Sequence, residues 1–416
     1  MIINSLLDLD VYKLYMMQLA FYYHRDVKVE YAFKNRTSSI KISSIIDQPS
    51  LKNELDHIQG LKFTSEQIKW IASLTHQAEE NSPIMVNTFK PEFLEYLKTF
   101  EMSTYTLGFD DNDEYDIRAT GDWCDAILWE TLVLSTVNEA YYISKYQNRG
   151  QYITLGTQNN FQVVSTLMQY PELSFIDFGT RRRFSGEWQR NVVDILNGSL
   201  PKTSFSGTSN CQIAMDLGIP VSGTNAHEMY MIATGIFRDD MRKGHSQILD
   251  EWWELYGYGL SIALSDTFGT DYFFEDFGEE RAKKWRGLRQ DSGDPTEFGE
   301  KAIKFYKSHG IDPTKKIIIF SDGLSLDKMI KLYEHFNGRI KVGFGWGTKL
   351  TNNVGLETLS IVMKAVKVIS VGDKVLNNWL VKLSDNLNKT MGPDEEVKLY
   401  ADVFDYTNNE REFLEV

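Results

Sequence analysis

The 416-residue sequence predicts an α/β protein, a barrel of βα units with a smaller second domain. Three observations carry this. Between about residues 150 and 360, short apolar strand candidates alternate with helical stretches. Each of these candidates ends in a polar motif. Residues 361–416 then return to β-like segments (361–371 and 374–383), which places them with the N-terminal region. α/β barrels and doubly wound sheets both build sites at the C-terminal ends of their strands. Five motif-bearing strand ends favour the barrel, because an open sheet gathers its ligand residues near one switch point. The expected division is 1–115 plus 361–416 for one domain and 116–360 for the barrel.

Taken in order, residues 1–115 mix strand-like pieces such as 29–36 with polar helical stretches around 51–80. Residues 123–147 form an apolar run on most of a helical circumference, so that helix should be buried. Strand candidates follow at 173–178, ending in GTRRRF, at 219–222, ending in GTNAHE, and at 260–265, ending in DTFGT. Two more lie at 317–320, ending in SDGL, and at 339–344. Between these two, Leu326, Met329, Ile330, Tyr333 and Phe336 keep helical spacing, with Ser325 as N-cap and Asn337-Gly338 as the stop. Residues 317–344 therefore read as one βαβ unit.

The net charge of −14 argues against general nucleic-acid binding, so any phosphate ligand needs positive charge gathered locally. Arg181, Arg182 and Arg183 are contiguous, and Arg286 lies near Arg289. No segment has the ~18 uninterrupted apolar residues of a membrane span. The first residues, MIINSLLDLDVYK, are acidic where a signal peptide is basic. Cys124 and Cys211 form no disulfide framework or metal spacing, and a reducing cytoplasm is the expected location.

The densest motif is RIKVGFGWGTKLTNN, residues 339–353. Gly343, Gly345 and Gly347 fall at every second position and Thr348 follows. Glycines let backbone N–H groups converge on an anion, so this is a candidate phosphate cradle, with an ordinary glycine-rich turn as the alternative. The spacing is neither the GxGxxG of a dinucleotide site nor a Walker loop. DFGTRRRF offers guanidinium forks for phosphate or carboxylate, against a solvated basic turn. SGTSNCQIAMDLG, 206–218, reads as a helix start stopped by Gly218. His227 lies just past the 219–222 candidate. No Ser/Asp pair makes a recognisable triad with it and no second histidine at i+4 makes a metal site, so it acts as proton carrier or nucleophile if it acts. GLRQDSGDP places Arg289, Asp291, Ser292 and Asp294 in one loop, and SDG adds Asp322; a mere Asx turn is the alternative for each. Together these residues suggest transfer chemistry on a phosphorylated sugar.

In order, DLDVYKLYM, GDWCDAILWE, IDFGTRRRFS, FSGTSN, GTNAHE, LRQDSGDP, IIFSDGL and FGWGTKLTN resemble the nicotinate phosphoribosyltransferases across most of residues 8–355. The last 60 or so residues carry little of it. The resemblance implies a type II phosphoribosyltransferase fold, an irregular, incomplete α/β barrel with an α+β domain formed from both chain ends. It implies the joining of nicotinate to 5-phosphoribosyl-1-pyrophosphate, with ATP hydrolysed alongside, in NAD synthesis. By motif, Tyr12 would stack on the pyridine ring. Arg181 or Arg182, Thr224 and Arg289 would surround its carboxylate or the sugar, and Asp291 and Asp322 would serve the sugar. Gly343, Gly345 and Thr348 would hold the 5-phosphate, and His227 would be transiently phosphorylated. Arg183 receives no role. Mg²⁺ would arrive on pyrophosphate or ATP and not in a protein cage. The implied partners are nicotinate, 5-phosphoribosyl-1-pyrophosphate and ATP, with a homodimer compatible and neither nucleic acid nor membrane.

Two rivals remain at this level. A nicotinamide phosphoribosyltransferase shares the fold and the histidine, whereas the arginine cluster favours the acid. A catalytically silent metabolite-binding relative is opposed by the intact His227, Asp291 and Thr348.

Overall fold

The computed structural model describes residues 1–406. The remainder of the expected second domain, 407–416, lies outside the described residues. Among those described there are thirteen strands: β1 (Val27–Asn35), β2 (Thr75–Gln77), β3 (Met85–Asn87), β4 (Thr104–Phe109), β5 (Tyr115–Asp122), β6 (Ser174–Asp177), β7 (Phe205–Thr208), β8 (Ile262–Leu264), β9 (Gly287–Gln290), β10 (Ile317–Phe320), β11 (Lys341–Trp346), β12 (Ile361–Val371) and β13 (Lys374–Trp379).

Six of them form a parallel sheet in the order β7-β6-β11-β10-β9-β8. Parallel neighbours need crossovers, and helices such as Pro295–Ser308 and Leu326–Phe336 supply them. Ser325 caps the second of these, accepting from Lys328 N, and residues 317–346 are the βαβ unit expected. The barrel is incomplete because no ladder joins β7 to β8 among the described residues. The strand expected at 219–222 is reduced to a single bridge between Thr208 and Val221. Pro220 in that segment has no N–H to give to a ladder. The loop that follows closes the gap, with Asn225 Nδ2 donating to Ile262 O at 3.2 Å. Two short strands stand where none was expected, one at an expected helix start and one in an expected loop. Residues 205–208 form β7 ahead of the helix Cys211–Leu217, and 287–290 form β9.

The second sheet is antiparallel, in the order β13-β12-β1-β5-β4, and so draws on both ends of the chain. The division expected at 115/116 falls at the start of β5, which pairs with β1 over residues 118–122 and with β4 over residues 115–120. The helix expected over 123–147 is two helices, Trp123–Ala126 and Trp129–Lys145. The longer one is buried over nearly its whole circumference, as its composition requires.

The two sheets are tied together by the N-terminal segment. Val11 N donates to Ser209 O, and Cys211 N to Leu9 O, so residues 9–11 run along the end of β7. Arg183 anchors the same segment. It is wholly buried and grips both carboxylate oxygens of Asp8 at 2.6 Å. Its role is therefore structural, and it is the one arginine of the triplet turned away from the strand-end rim.

Candidate active site

The expected residues gather where the parallel strands end. His227 opens the helix His227–Ile236 directly after the gap-closing loop. Its Nε2 lies 3.0 Å from Asp266 Oδ1 and 3.8 Å from Asp291 Oδ2. Asp266 lies just beyond β8, in the DTFGT motif, and is the carboxylate partner that sequence spacing did not reveal. Its other oxygen accepts from Ser292 Oγ at 2.5 Å, and that hydroxyl accepts from Asp385 N at 3.0 Å. Burial, aided by the Lys382 ammonium, pulls the His227 imidazole down to about 4 against the pull of Asp266 and Asp291. The ring is therefore neutral at pH 7. With Nε2–H donating to Asp266, the lone pair lies on Nδ1.

Arg289 stands inside β9, 5 % exposed, and not in a loop. Its guanidinium donates to Thr224 Oγ1 and Asn225 O, both at 2.9 Å, to Ser321 Oγ at 2.9 Å and to Asp291 Oδ1 at 3.2 Å. Thr224, Asp291 and Arg289 thus form one hydrogen-bonded group, with His227 beside it. Burial would raise the Asp291 carboxyl, but Arg289, Lys389 and Lys382 hold the group well below the usual carboxylate range. Asp322 joins through Lys389, whose ammonium lies 2.5 Å from Asp322 Oδ1 and 2.7 Å from Asp291 O.

A second cluster holds Tyr12 and Arg181. The Arg181 guanidinium carbon lies 5.9 Å from the Tyr12 ring centre, and its nitrogens face Glu130 at 3.3 Å and Asp10 at 3.6 Å. A third of the Arg181 side chain is exposed, and one Nη has no protein partner. Tyr12 is 6 % exposed and its hydroxyl has no hydrogen-bond partner. Gly223 lets the two clusters meet, since a Cβ there would lie 3.0 Å from Val11 Cγ1 and 3.4 Å from Tyr12 N.

Arg182 turns elsewhere. Its Nε and Nη2 donate to Ile361 O at 3.2 and 3.0 Å, and it has no carboxylate partner. Burial and the neighbouring Arg181 and Arg36 bring its guanidinium down to about 10. Among the described residues Arg36 has no side-chain partner, and Lys382 faces the already committed Asp266 Oδ2 at 3.8 Å without a hydrogen bond. Arg36, Lys382 and Lys389 were not foreseen. The last two come from the C-terminal segment, and single basic residues carry no pattern.

The glycine cluster is only partly a rim feature. Gly343 and Gly345 lie inside β11, between β10 and β6. A Cβ at Gly343 would press on Ile319 Cδ1 at 2.9 Å, and one at Gly345 would stand inside the ring of Phe178. These two glycines make room for neighbouring side chains. Gly347 and Thr348 do lie at the strand end. Phe178, set in place by Gly345, puts its ring 5.9 Å from the Arg289 guanidinium carbon.

This arrangement has close relatives. The model of the nicotinate phosphoribosyltransferase N-terminal domain matches residues 7–138, and that of the nicotinate phosphoribosyltransferase family matches residues 173–408. A crystal structure of nicotinate phosphoribosyltransferase from Porphyromonas gingivalis superposes with a TM-score of 0.86 at 31 % identity, over 97 % of this chain and 100 % of that one. The enzyme of that name from Vibrio cholerae gives 0.85 at 30 % identity, over 98 % and 94 %. The chain is a phosphoribosyltransferase and belongs to the nicotinate phosphoribosyltransferase family.

Proposed function

We propose that the protein makes nicotinate mononucleotide and pyrophosphate from nicotinate and 5-phosphoribosyl-1-pyrophosphate, for NAD synthesis, and that ATP acts through a transiently phosphorylated His227. The observation that carries the second half is the histidine itself. It is neutral, backed by Asp266 on one nitrogen, and set beside Asp291 and Lys382. That is the arrangement of an activated nucleophile oriented by a third group.

In the glycosyl step the pyridine nitrogen forms a bond to C1′ while the C1′–O bond to pyrophosphate breaks. The sugar passes through an oxocarbenium-like state, so the protein's work is to position the reactants and stabilise charge. Arg181, with its free Nη, and Arg289 would face the carboxylate of nicotinate, with Tyr12 and Phe178 offering aromatic faces. Asp291 would face the ribose as it gains positive charge, and Asp322 would serve its hydroxyls. Arg36, Arg182 and Lys382 supply positive charge that no carboxylate fully takes up, which suits pyrophosphate. Thr348, with the backbone at Gly347, would hold the 5-phosphate. Mg²⁺, carried in on pyrophosphate or ATP, would supply further charge neutralisation.

In the phosphoryl step Nδ1 of His227 bonds to the γ-phosphorus of ATP while the bond to the ADP oxygen breaks. Water later takes the phosphoryl group as inorganic phosphate. ATP would then switch affinity and not drive the C–N bond directly. Mass spectrometry after incubation with ATP tests this. An acid-labile phosphoryl group should map to His227. His227→Ala should lose ATP hydrolysis yet keep slow, ATP-independent product formation. A label on another residue, or ATP hydrolysis by His227→Ala in step with product, would overturn the mechanism.

A further inference from the structure

Behind the Tyr12–Arg181 cluster lies a buried set of acidic and basic side chains. Lys13 is wholly buried. Its ammonium lies 2.5 Å from Glu130 Oε2 and 2.6 Å from Glu228 Oε2, and both glutamates are also wholly buried. Glu130 Oε1 accepts from Lys364 at 2.5 Å and faces Arg181 Nη1 at 3.3 Å. Tyr31 donates to Glu228 Oε1 at 3.2 Å. The contacts run Arg181–Glu130–Lys13–Glu228, braced by Lys364 on β12 and Tyr31 on β1.

Two members of this chain adjoin site residues along the backbone. Lys13 follows Tyr12, and Glu228 follows His227 in the first turn of its helix. Arg181 is itself a member. Buried ion pairs are a poor source of stability, because apolar side chains of equal volume usually do as well. What short, fully desolvated charge-assisted bonds do provide is fixed geometry. Here they fix the turn that carries His227 against the two residues best placed to grip a pyridine acid. A phosphoryl group on His227 would bring about −1.5 to −2 charges next to Asp266 and Asp291, by analogy with phosphorylated hydroxyls. The helix start must yield to that repulsion, and close-packed interiors pass such strain on.

We infer that Lys13 is a positioning residue that couples the state of His227 to the grip of Tyr12 and Arg181 on the substrate ring. The inference rests on the proposed phosphorylation of His227. It identifies two sites and the contiguous contacts between them, which a claim of coupling requires.

The test uses the full chain carrying Lys13→Met with Glu228→Gln. This pair removes one positive and one negative charge, and Glu130 keeps Lys364 and Arg181. Three quantities are read: the phosphoryl label on His227, ATP-free turnover, and the nicotinate KM with and without ATP. Label and ATP-free turnover should match the wild type. The effect of ATP on KM should be about fivefold or more in the wild type and under about twofold in the variant, a loss of the usual coupling range. An intact ATP effect in a folded, labelled variant overturns the inference alone. Loss of the label in the variant overturns it as well, because Lys13 would then serve phosphorylation itself. An unlabelled wild type removes the proposed mechanism and the inference with it. Should the double variant fail to fold, Glu228→Gln alone is read against the same outcomes, since the amide keeps the shape but breaks the ionic link.

Discussion

His227→Gln should remove a pH dependence of stability whose sign identifies the state of the histidine. Burial and Lys382 hold the folded imidazole at about 4, against 6.5 for the free side chain. Between those values the unfolded chain binds a proton that the folded chain does not. The stability contributed by the neutral ring is therefore complete above 6.5 and is lost as pH falls through the window. Going from pH 7 to pH 5 crosses 1.5 units of it, from 6.5 to 5, which is worth about 2 kcal/mol. Glutamine has similar bulk, can donate to Asp266 and does not titrate. Urea unfolding of both proteins at pH 7 and pH 5 gives the difference, in which the other titrating groups largely cancel. The wild type should lose about 2 kcal/mol relative to the variant on acidification. If Asp266 dominated instead, the folded pKa would lie above 6.5 and the wild type would gain relative stability. A gain, or no change, would refute the neutral, buried nucleophile.

Gly345→Val should destabilise the protein by about 1–3 kcal/mol, because the new side chain must displace the Phe178 ring; a variant with the wild-type unfolding midpoint would refute the packing role given to this glycine. Nicotinate should exceed nicotinamide in kcat/KM by about 100-fold or more, since the amide leaves the guanidinium donors near Tyr12 and Arg289 poorly matched. Comparable values for the two substrates would point to the nicotinamide enzyme.

The order of strands in the barrel could be read from sequence wherever an apolar run was long enough to stand out. Residues 317–320 fall where expected and the strand expected at 339–344 runs two residues later, over 341–346, with the intervening helix capped by Ser325. The errors have local causes. FSGT and GLRQ are four-residue strands made largely of residues that favour turns or charge, and only their neighbours in the sheet make them strands. IPVS looks like a strand, but Pro220 denies it a ladder. The alternation of Gly343 and Gly345 was read as a phosphate cradle at a strand end, and period two is also the period of one strand face. In this protein that face is filled by Ile319 and Phe178.

The site was legible where residues sit in compact motifs and illegible where it depends on lone charges brought together by the fold. Asp266, Arg36, Lys382 and Lys389 belong to the second kind. Their meaning comes from charge balance. In a chain of net charge −14, many exposed lysines, such as Lys52 and Lys62, find a carboxylate. Arg36 and Arg182 have none, and Lys382 shares one already bound by His227 and Ser292. Burial and repulsion from neighbouring cations depress both Arg182 and Lys382, so a polyanion bound beside them would relieve unfavourable energy. The same relief would retain pyrophosphate after the reaction. An anion site of this kind needs a means of changing its own charge between loading and release. On the proposed mechanism, the gain and loss of a phosphoryl group at His227, next to Lys382, is that means.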